Sequence, residues 1–511
     1  MGEKKIWILN HYATVALEQR GGRHYWMAKE LVKKGYQPVV FCANTVHNSD
    51  CSAEQKEKYV LKKQDDITFV IVKSTPYKGN GISRIRNILS FYRNVKNVAG
   101  KYAKLDGKPY AILASSVHPL ACVAGIQLGK KIKCPCIAEI RDLWPKELID
   151  MGALKETHPV AKILYSLEKW IYCKADAVVF TMEGGKKYIA DQKWDKANGG
   201  NIDLNKIFYI NNGVDIKEFE ENAQKYPSMD EDLNDGKHFN FVYTGSIRRT
   251  NNIDTLVDAA KELKNNNIQV LLWGAGDYVE TIQKRIEAEK ITNVKYKGVV
   301  KKCEVPGILK KSDVNIIHWN DMDTLKYGCS YNKMFEYLAA GRPIYSTVHV
   351  GYSIIKDGHC GMEASGRTAK DYASDMQKYY EMSEEEKIKL GNNSKQKVKE
   401  FYGEHDFWIT PLFKFLLAFV VFSQINGLLG FMRQIDNIFV VLILSLICAM
   451  FSINVMTILA CLLILGHCYA VGIETAGFAA VLLILLMILF LRFTSEDNVA
   501  LILTPISFTL H

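Results

Sequence analysis

From residue 5 to about residue 400 the chain alternates short apolar runs with longer stretches whose apolar residues recur every three or four positions. A short apolar run bounded by turn formers reads as a buried strand, and the helical period between runs reads as the return helix of a βα unit. Repeating that unit predicts parallel sheets. The first series of predicted strands is Ile6 to Leu9, Pro38 to Cys42, Thr68 to Val72, Ala111 to Ala114, Cys136 to Glu139, Ala177 to Thr181 and Ile207 to Ile210. A polar, acidic stretch to Gly236 follows, and then a second series: Phe239 to Thr244, Gln269 to Trp273, Val294 to Lys297, Val314 to His318 and Pro343 to Ser346. The pattern predicts an α/β protein with two Rossmann-like doubly wound domains, residues 1–215 and 238–395, joined by a linker at 216–237. Two such domains place a ligand in the cleft between them, at the carboxyl ends of the strands.

Beyond residue 395 the pattern changes. Ser383 with Glu386 forms a capping-box signature for a charged return helix, so 396–436 reads as return helix and amphipathic connector. Asn437 to Ile473 holds 37 residues without Asp, Glu, Lys or Arg, and Thr475 to Leu491 a further 17. A membrane crossing needs about 20 apolar residues, so 437–511 reads as an α-helical transmembrane tail, the first run being one tilted helix or a tight hairpin. A third uncharged run continues to His511, as an incomplete membrane domain would.

Composition sharpens this division. The chain of 511 residues carries 65 Lys and Arg against 55 Asp and Glu. Residues 410–511 contribute three basic and four acidic side chains, leaving 62 against 51, a net +11, on residues 1–409. That excess suits nucleic acid, an anionic membrane surface or a phosphorylated substrate. Twelve cysteines with no CxxC pair exclude a zinc framework and read as reduced, cytosolic thiols. The run Ile6 to Leu9 after a basic start is too short for a signal peptide, so the N-terminus is expected in the cytoplasm.

The candidate chemistry gathers at strand ends. Gly21-Gly22 precedes the first helix, where free backbone amides hold an anion or a plain turn is made. His118 follows a strand and could bond a substrate hydroxyl or phosphate, or be structural. Glu139, Arg141 and Asp142 follow the next strand, as acceptor-side groups or as a buried ion pair bracing the loop. In the second domain Thr244-Gly-Ser-Ile-Arg-Arg249 places Gly245, Arg248 and Arg249 where two guanidinium groups could clamp a diphosphate. Gly274 lies in a second glycine turn, and Lys333 and Glu336 share a face near a helix start, suiting a phosphate and a ribose diol. Asp321-Met-Asp323 reads as solvated charge rather than a metal-binding pair.

The run of Gly21-Gly22, Ser115-Ser-Val-His-Pro119, Glu139-Ile-Arg-Asp-Leu-Trp-Pro145, Ile210-Asn-Asn-Gly-Val-Asp215, Tyr243-Thr-Gly-Ser-Ile-Arg248 and Asn332-Lys-Met-Phe-Glu-Tyr-Leu-Ala-Ala-Gly-Arg-Pro343 resembles a family 4 glycosyltransferase. More narrowly it resembles the N-acetyl-L-fucosamine-type transferases of O-antigen and capsule synthesis. The resemblance covers residues 1 to about 405. It implies a GT-B architecture and a nucleotide-diphosphate sugar donor, UDP-linked, held mainly by the second domain. It further implies retention of configuration and no essential metal or cofactor. Its site roles would be catalytic for His118 and Glu336, and donor-binding for Gly21, Gly22, Gly245, Arg248, Arg249, Gly274, Lys333 and Glu336. The implied partners are a nucleotide sugar, a polyprenyl-diphosphate-linked saccharide acceptor and a membrane, with no nucleic acid. The implied location is the inner membrane of a bacterium, with the catalytic domains in the cytoplasm. The chain departs from the broad family in placing Gly328 where the first of two glutamates stands, and Ser246 and Asn251 where the phosphate-loop Arg and Lys stand.

Two other readings use the same residues: an inactive sugar-nucleotide-binding module on a membrane protein, for which Gly328 speaks, or a two-Rossmann sugar-nucleotide epimerase. Ile82, Ile85, Leu89 and Tyr92 at helical spacing, with Arg84, Arg86, Arg93 and Lys96 alongside, predict a basic amphipathic helix that rests on an anionic bilayer or packs on its own sheet.

Overall fold

The computed structural model describes residues 4–45, 55–77, 79, 81–116, 118–403, 406–450 and 453–493. It divides into two compact units, Met1–Val398 and Lys399–His511.

The first unit holds two sheets. One comprises β1 (Lys4–Leu9), β2 (Tyr36–Ala43), β3 (Tyr59–Gln64), β4 (Ile67–Val72), β5 (Ala111–Ser115), β6 (Cys136–Ile140), β7 (Ala177–Phe180) and β8 (Ile207–Tyr209). Its order is β3-β4-β2-β1-β5-β6-β7-β8. The other comprises β9 (Phe239–Thr244), β10 (Ile268–Trp273), β11 (Val294–Gly298), β12 (Val314–Ile317), β13 (Ile344–Ser346) and β14 (Gly361–Glu363), in the order β11-β10-β9-β12-β13-β14. Every pairing is parallel except β3 with β4. The strand order reverses between β1 and β5 and between β9 and β12, and a doubly wound sheet opens a crevice at such points. The strands inside each sheet are buried on both faces, which is why their sequences are near-continuous apolar runs rather than alternations.

All twelve predicted strands are present. β3 and β14 were not predicted: β3 reads Tyr-Val-Leu-Lys-Lys-Gln on an exposed edge, and β14 has only three residues. β3 turns back onto β4 through Asp65 and Asp66, both at positive φ, which short polar side chains tolerate. The expected linker is partly helical. Asp215 accepts a hydrogen bond from the Glu218 amide at 3.0 Å and starts the helix Ile216–Lys225, and Asp230 caps the turn Glu231–Asn234. Two of the acidic residues of the expected linker, Asp215 and Asp230, are thus helix N-caps.

The predicted amphipathic helix spans Ile82–Leu105. It buries Asn87, Phe91, Val95, Val98, Ala99 and Tyr102 against the first sheet, while Ile82 and Ile85 stay 70% and 57% exposed.

In the second unit four helices follow one another: Asp406–Leu429, Ile438–Met450, Ile453–Val471 and Ile473–Phe493. The 37-residue uncharged run is therefore two helices, not one. Among the described residues no helix is long and apolar enough to cross a membrane. The unit's core gathers Ala418, Phe422, Ile425, Val441 and Leu463, and its outer side chains are apolar as well, with Phe439 70% and Phe478 74% exposed. Residues 494–511, the predicted end of the tail, lie outside the described residues.

One buried acid in the first unit gives a pH-dependent stability. Glu168 accepts hydrogen bonds from the hydroxyls of Tyr172 at 2.6 Å and Tyr188 at 2.9 Å. Burial pushes its carboxyl up to about 8 from an ordinary 4.5. The folded chain then holds a proton that the unfolded chain releases, so stability falls as pH rises through that window. Calorimetric melting from pH 5 to 9 should show a decline in wild type that Glu168→Gln flattens; equal slopes would show that Glu168 does not titrate there.

Candidate active site in the interdomain cleft

The first wall of the cleft is built on a buried ion cluster. A short helix, Thr14–Gln19, already follows β1, so the glycine pair precedes the second helix and not the first as expected; Gly22, at φ +92°, begins the helix Arg23–Lys33 with no side-chain cap on its first amides. The first two residues of that helix reach Glu139 at the end of β6: Arg23 Nε and His24 Nε2 each lie 2.7 Å from a different carboxylate oxygen. On the other side of the ring, Asn10 Nδ2 donates to His24 Nδ1 at 2.8 Å, and the Asn10 oxygen accepts from the Tyr12 amide. The ring thus presents Nε2 to the carboxylate and Nδ1 to Asn10. Burial alone would raise the Glu139 carboxyl, but His24, Arg23 and Arg141 hold it well below the usual range. Arg23 also donates to the carbonyls of Ile210 and Asn211. The Asn212 amide donates in turn to Ser330 Oγ of the second domain at 2.7 Å.

Between the domains lies a cavity of about 410 Å³. Gly21, Gly22, His24 and Arg141 line it from the first domain, and Lys302, Asn332 and Glu336 from the second, where Glu336 pairs with Lys302. Of the sequence-predicted residues, Gly21, Gly22, Arg141 and Glu336 are thus brought together.

The remaining donor-side residues form a neighbouring electropositive turn. Gly245 and Gly274, at φ +143° and +150°, end β9 and β10. A Cβ on Gly274 would stand 1.7 Å from the Gly245 carbonyl oxygen, so only glycine permits this approach. The Gly245 amide bonds the Trp273 carbonyl at 3.0 Å and the Ile247 amide the Ala275 carbonyl at 2.9 Å, locking the two turns together. Lys333, in the first turn of the helix Asn332–Ala340, places its ammonium 4.1 Å from the Tyr243 ring centroid, beside Gly245. No carboxylate pairs with Arg248, Arg249 or Lys333 among the described residues. Desolvation pulls the half-buried Lys333 ammonium down to about 7.

Several predicted residues sit elsewhere. Glu139 does not face the cleft for an acceptor; it is fully buried with both oxygens taken, the bracing ion pair that the sequence left open. His118 does not line the cavity: it is buried with Nε2 2.7 Å from His11 Nδ1, and desolvation, helped by Arg84, lowers it to about 3. At neutral pH it is an uncharged imidazole set behind the cavity wall, its Nδ1 buried without a hydrogen-bond partner. Asp142 also lies off the cavity lining, its carboxyl raised by desolvation against the pull of Arg141 and Arg84. Asp321 pairs with Arg367, and Asp323 with Lys326 at 3.0 Å and Lys146 at 3.3 Å. Gly328 stands at φ +92°, a conformation that a glutamate would adopt only under strain, and a Cβ there would make a tight 3.3 Å contact with the Gly351 carbonyl oxygen. Sequence reasoning missed Asn10, His24 and Lys302; His24 directly follows the glycine pair and Arg23, which was the available signal.

Comparison with known proteins defines the class. Residues 238–382 match the family model described as glycosyl transferases group 1. A protein of Pseudomonas aeruginosa named probable glycosyltransferase WbjE is 24% identical over 217 residues, 42% of this chain and 51% of that protein. The chain thus spans about half the length of this curated relative. Among solved structures, a sucrose-phosphate synthase of Thermosynechococcus elongatus superposes with a TM-score of 0.59 at 16% identity, over 78% of this chain and 95% of that one. Anabaena HepE in complex with UDP and glucose gives 0.53 at 13%, over 78% and 96%. The chain carries a glycosyltransferase group 1 domain within a two-Rossmann, GT-B-type fold.

The Glu139 cluster yields a sharp expectation. Removing one partner of a buried ion pair costs about 3–5 kcal/mol, because the other charge stays buried. Glu139→Ala should destabilise the first unit by about that much in denaturant titration, whereas Arg141→Ala, on the cavity wall, should change stability by less than about 1 kcal/mol. Near-native stability of Glu139→Ala would remove the brace.

Proposed function

We propose that the protein is a retaining glycosyltransferase that moves a sugar from a UDP-type nucleotide sugar to a lipid-linked saccharide acceptor in surface polysaccharide synthesis. The observation that carries the reading is the turn at Gly245 and Gly274, where Arg248, Arg249 and Lys333 lack carboxylate partners. Three unneutralised cations around exposed backbone suit a diphosphate leaving group, whose negative charge grows as the glycosidic bond breaks. A metal ion is not needed for that task. Glu336, one turn beyond Lys333, is suited to accept the two ribose hydroxyls once it exchanges its Lys302 contact. The UDP complex of HepE and the name of the Pseudomonas relative support the donor class and the reaction. The exposed apolar side chains of the second unit support a lipid partner and, with the free cysteines of the described residues, a place at the cytoplasmic face of a bacterial inner membrane. Gly328 favours a second reading, an inactive nucleotide-sugar-binding module; turnover of a nucleotide sugar separates the two.

Lys333 gives the donor reading a signature. An anion beside it raises its pKa, so UDP binding at pH 7.5 should take up part of a proton, and affinity should fall as pH rises through about 7. Calorimetry in buffers of different ionisation enthalpy should show this uptake in wild type and none in Lys333→Arg. Glu336→Ala should weaken UDP about tenfold or more, since it removes a contact made with the free nucleotide. Activity should survive EDTA. UDP binding without proton uptake would place the diphosphate away from Lys333.

A further inference from the structure

A second concave surface lies on the first domain, and none of its lining residues belongs to the cleft cavity. Its volume is about 710 Å³, and it is lined by Lys58, Lys73, Lys101, Lys104, Lys108 and Lys131 with no carboxylate. These lysines come from four separate places: the start of β3, the end of β4, the helix Ile82–Leu105 with the loop after it, and the end of the helix Pro119–Ile132. None of the six pairs with a carboxylate among the described residues. Asp106, the acid next to the helix end, is held by Lys5 at 2.8 Å.

Six like charges around one hollow repel one another, and folding the chain to bring four segments together raises that repulsion. An occupant with several negative charges relieves it. The lining otherwise offers Asn94 and Asn97 as amide donors and Tyr59 as its one aromatic ring, so stacking of several bases is not provided for. Lysine is a compact charge on a flexible stem, suited to a phosphate oxygen without fixed bidentate geometry.

We infer that this lysine-lined hollow is a binding site for a ligand with clustered phosphate groups, distinct from the donor site. The same helix exposes Ile82, Ile85 and Leu89 about three to five turns before Lys101, so the phosphates could belong to lipid headgroups as well as to a soluble polyphosphate. The test uses the full chain with UDP in excess and inorganic tripolyphosphate as titrant in calorimetry. Wild type should bind tripolyphosphate, more weakly as salt rises, and Lys101→Gln/Lys104→Gln/Lys131→Gln should bind roughly tenfold or more weakly. These side chains are exposed, so the variant should melt as wild type does; the single change Lys104→Glu serves as a second, milder test. In a parallel arm, co-sedimentation compares phosphatidylglycerol with phosphatidylcholine vesicles. Loss of the phosphatidylglycerol preference in the variant assigns the site to headgroups, and loss of tripolyphosphate binding alone assigns it to a soluble ligand. Unchanged tripolyphosphate binding and unchanged vesicle preference in the variant overturn the inference. Because the comparison is between wild type and lysine variants, it stands even if UDP proves not to bind the cleft.

Discussion

The geometry of the cleft depends on one buried carboxylate. Glu139 has no accessible surface, and an isolated ionised carboxylate there would be prohibitive without Arg23 and His24 on its two oxygens. Meeting that requirement fixes three things at once. It sets the start of the helix Arg23–Lys33, and with it the glycine pair that lines the cavity. It orients the end of β6, from which Arg141 extends to the same cavity. Through the remaining nitrogens of Arg23 it also holds the backbone at 210–211, next to Asn212 and its contact with Ser330. A charge that could have served chemistry is used to place its neighbours, which explains why a strand-end glutamate in this fold need not face substrate.

The second domain solves a different problem, keeping positive charge unneutralised beside exposed backbone. Two glycine turns pack carbonyl against Cα so closely that no side chain intervenes, and the loops are laced by amide–carbonyl bonds. That rigidity sets the exposed backbone of Gly245 beside the Lys333 ammonium. Lys333 meets the cost of desolvation by a lowered pKa and by the face of Tyr243, a weaker partner than a carboxylate and one an incoming anion does not have to displace.

The parallel strands were legible because burial on both faces turns each into an apolar run that no other element requires. β3 was hidden because an edge strand needs apolar residues on one side only, and its lysines face outward. The short helices within the expected linker were hidden because Asp215 and Asp230, which cap them, look in sequence like ordinary polar loop residues. The residues at strand ends were identified correctly as a set, but sequence carries no information on whether a side chain turns into the cleft or into the core. Glu139 and His118 turned inward, where partners at positions 23, 24 and 11 waited; Arg141, two residues after Glu139, turned outward. The glycine at 328 shows the converse case, since its absence of a carboxylate was visible and the positive φ that disfavours any side chain there was not.

The net charge of residues 1–409 thus resolves into two kinds of cation. Beside the cleft, Arg248, Arg249 and Lys333 stand on turns fixed by glycine contacts and a helix start, so the backbone that carries them is set before a ligand arrives. In the lysine-lined hollow the charges stand on long exposed side chains from four segments, so spacing adapts to the occupant and the attraction depends on the number of charges rather than their arrangement. The first arrangement suits one diphosphate in one register. The second suits phosphates whose positions vary, as they do across a headgroup layer, and falls steeply with ionic strength. The same excess of positive charge therefore supports both a specific and an unspecific contact, with the rigidity of the supporting backbone separating them.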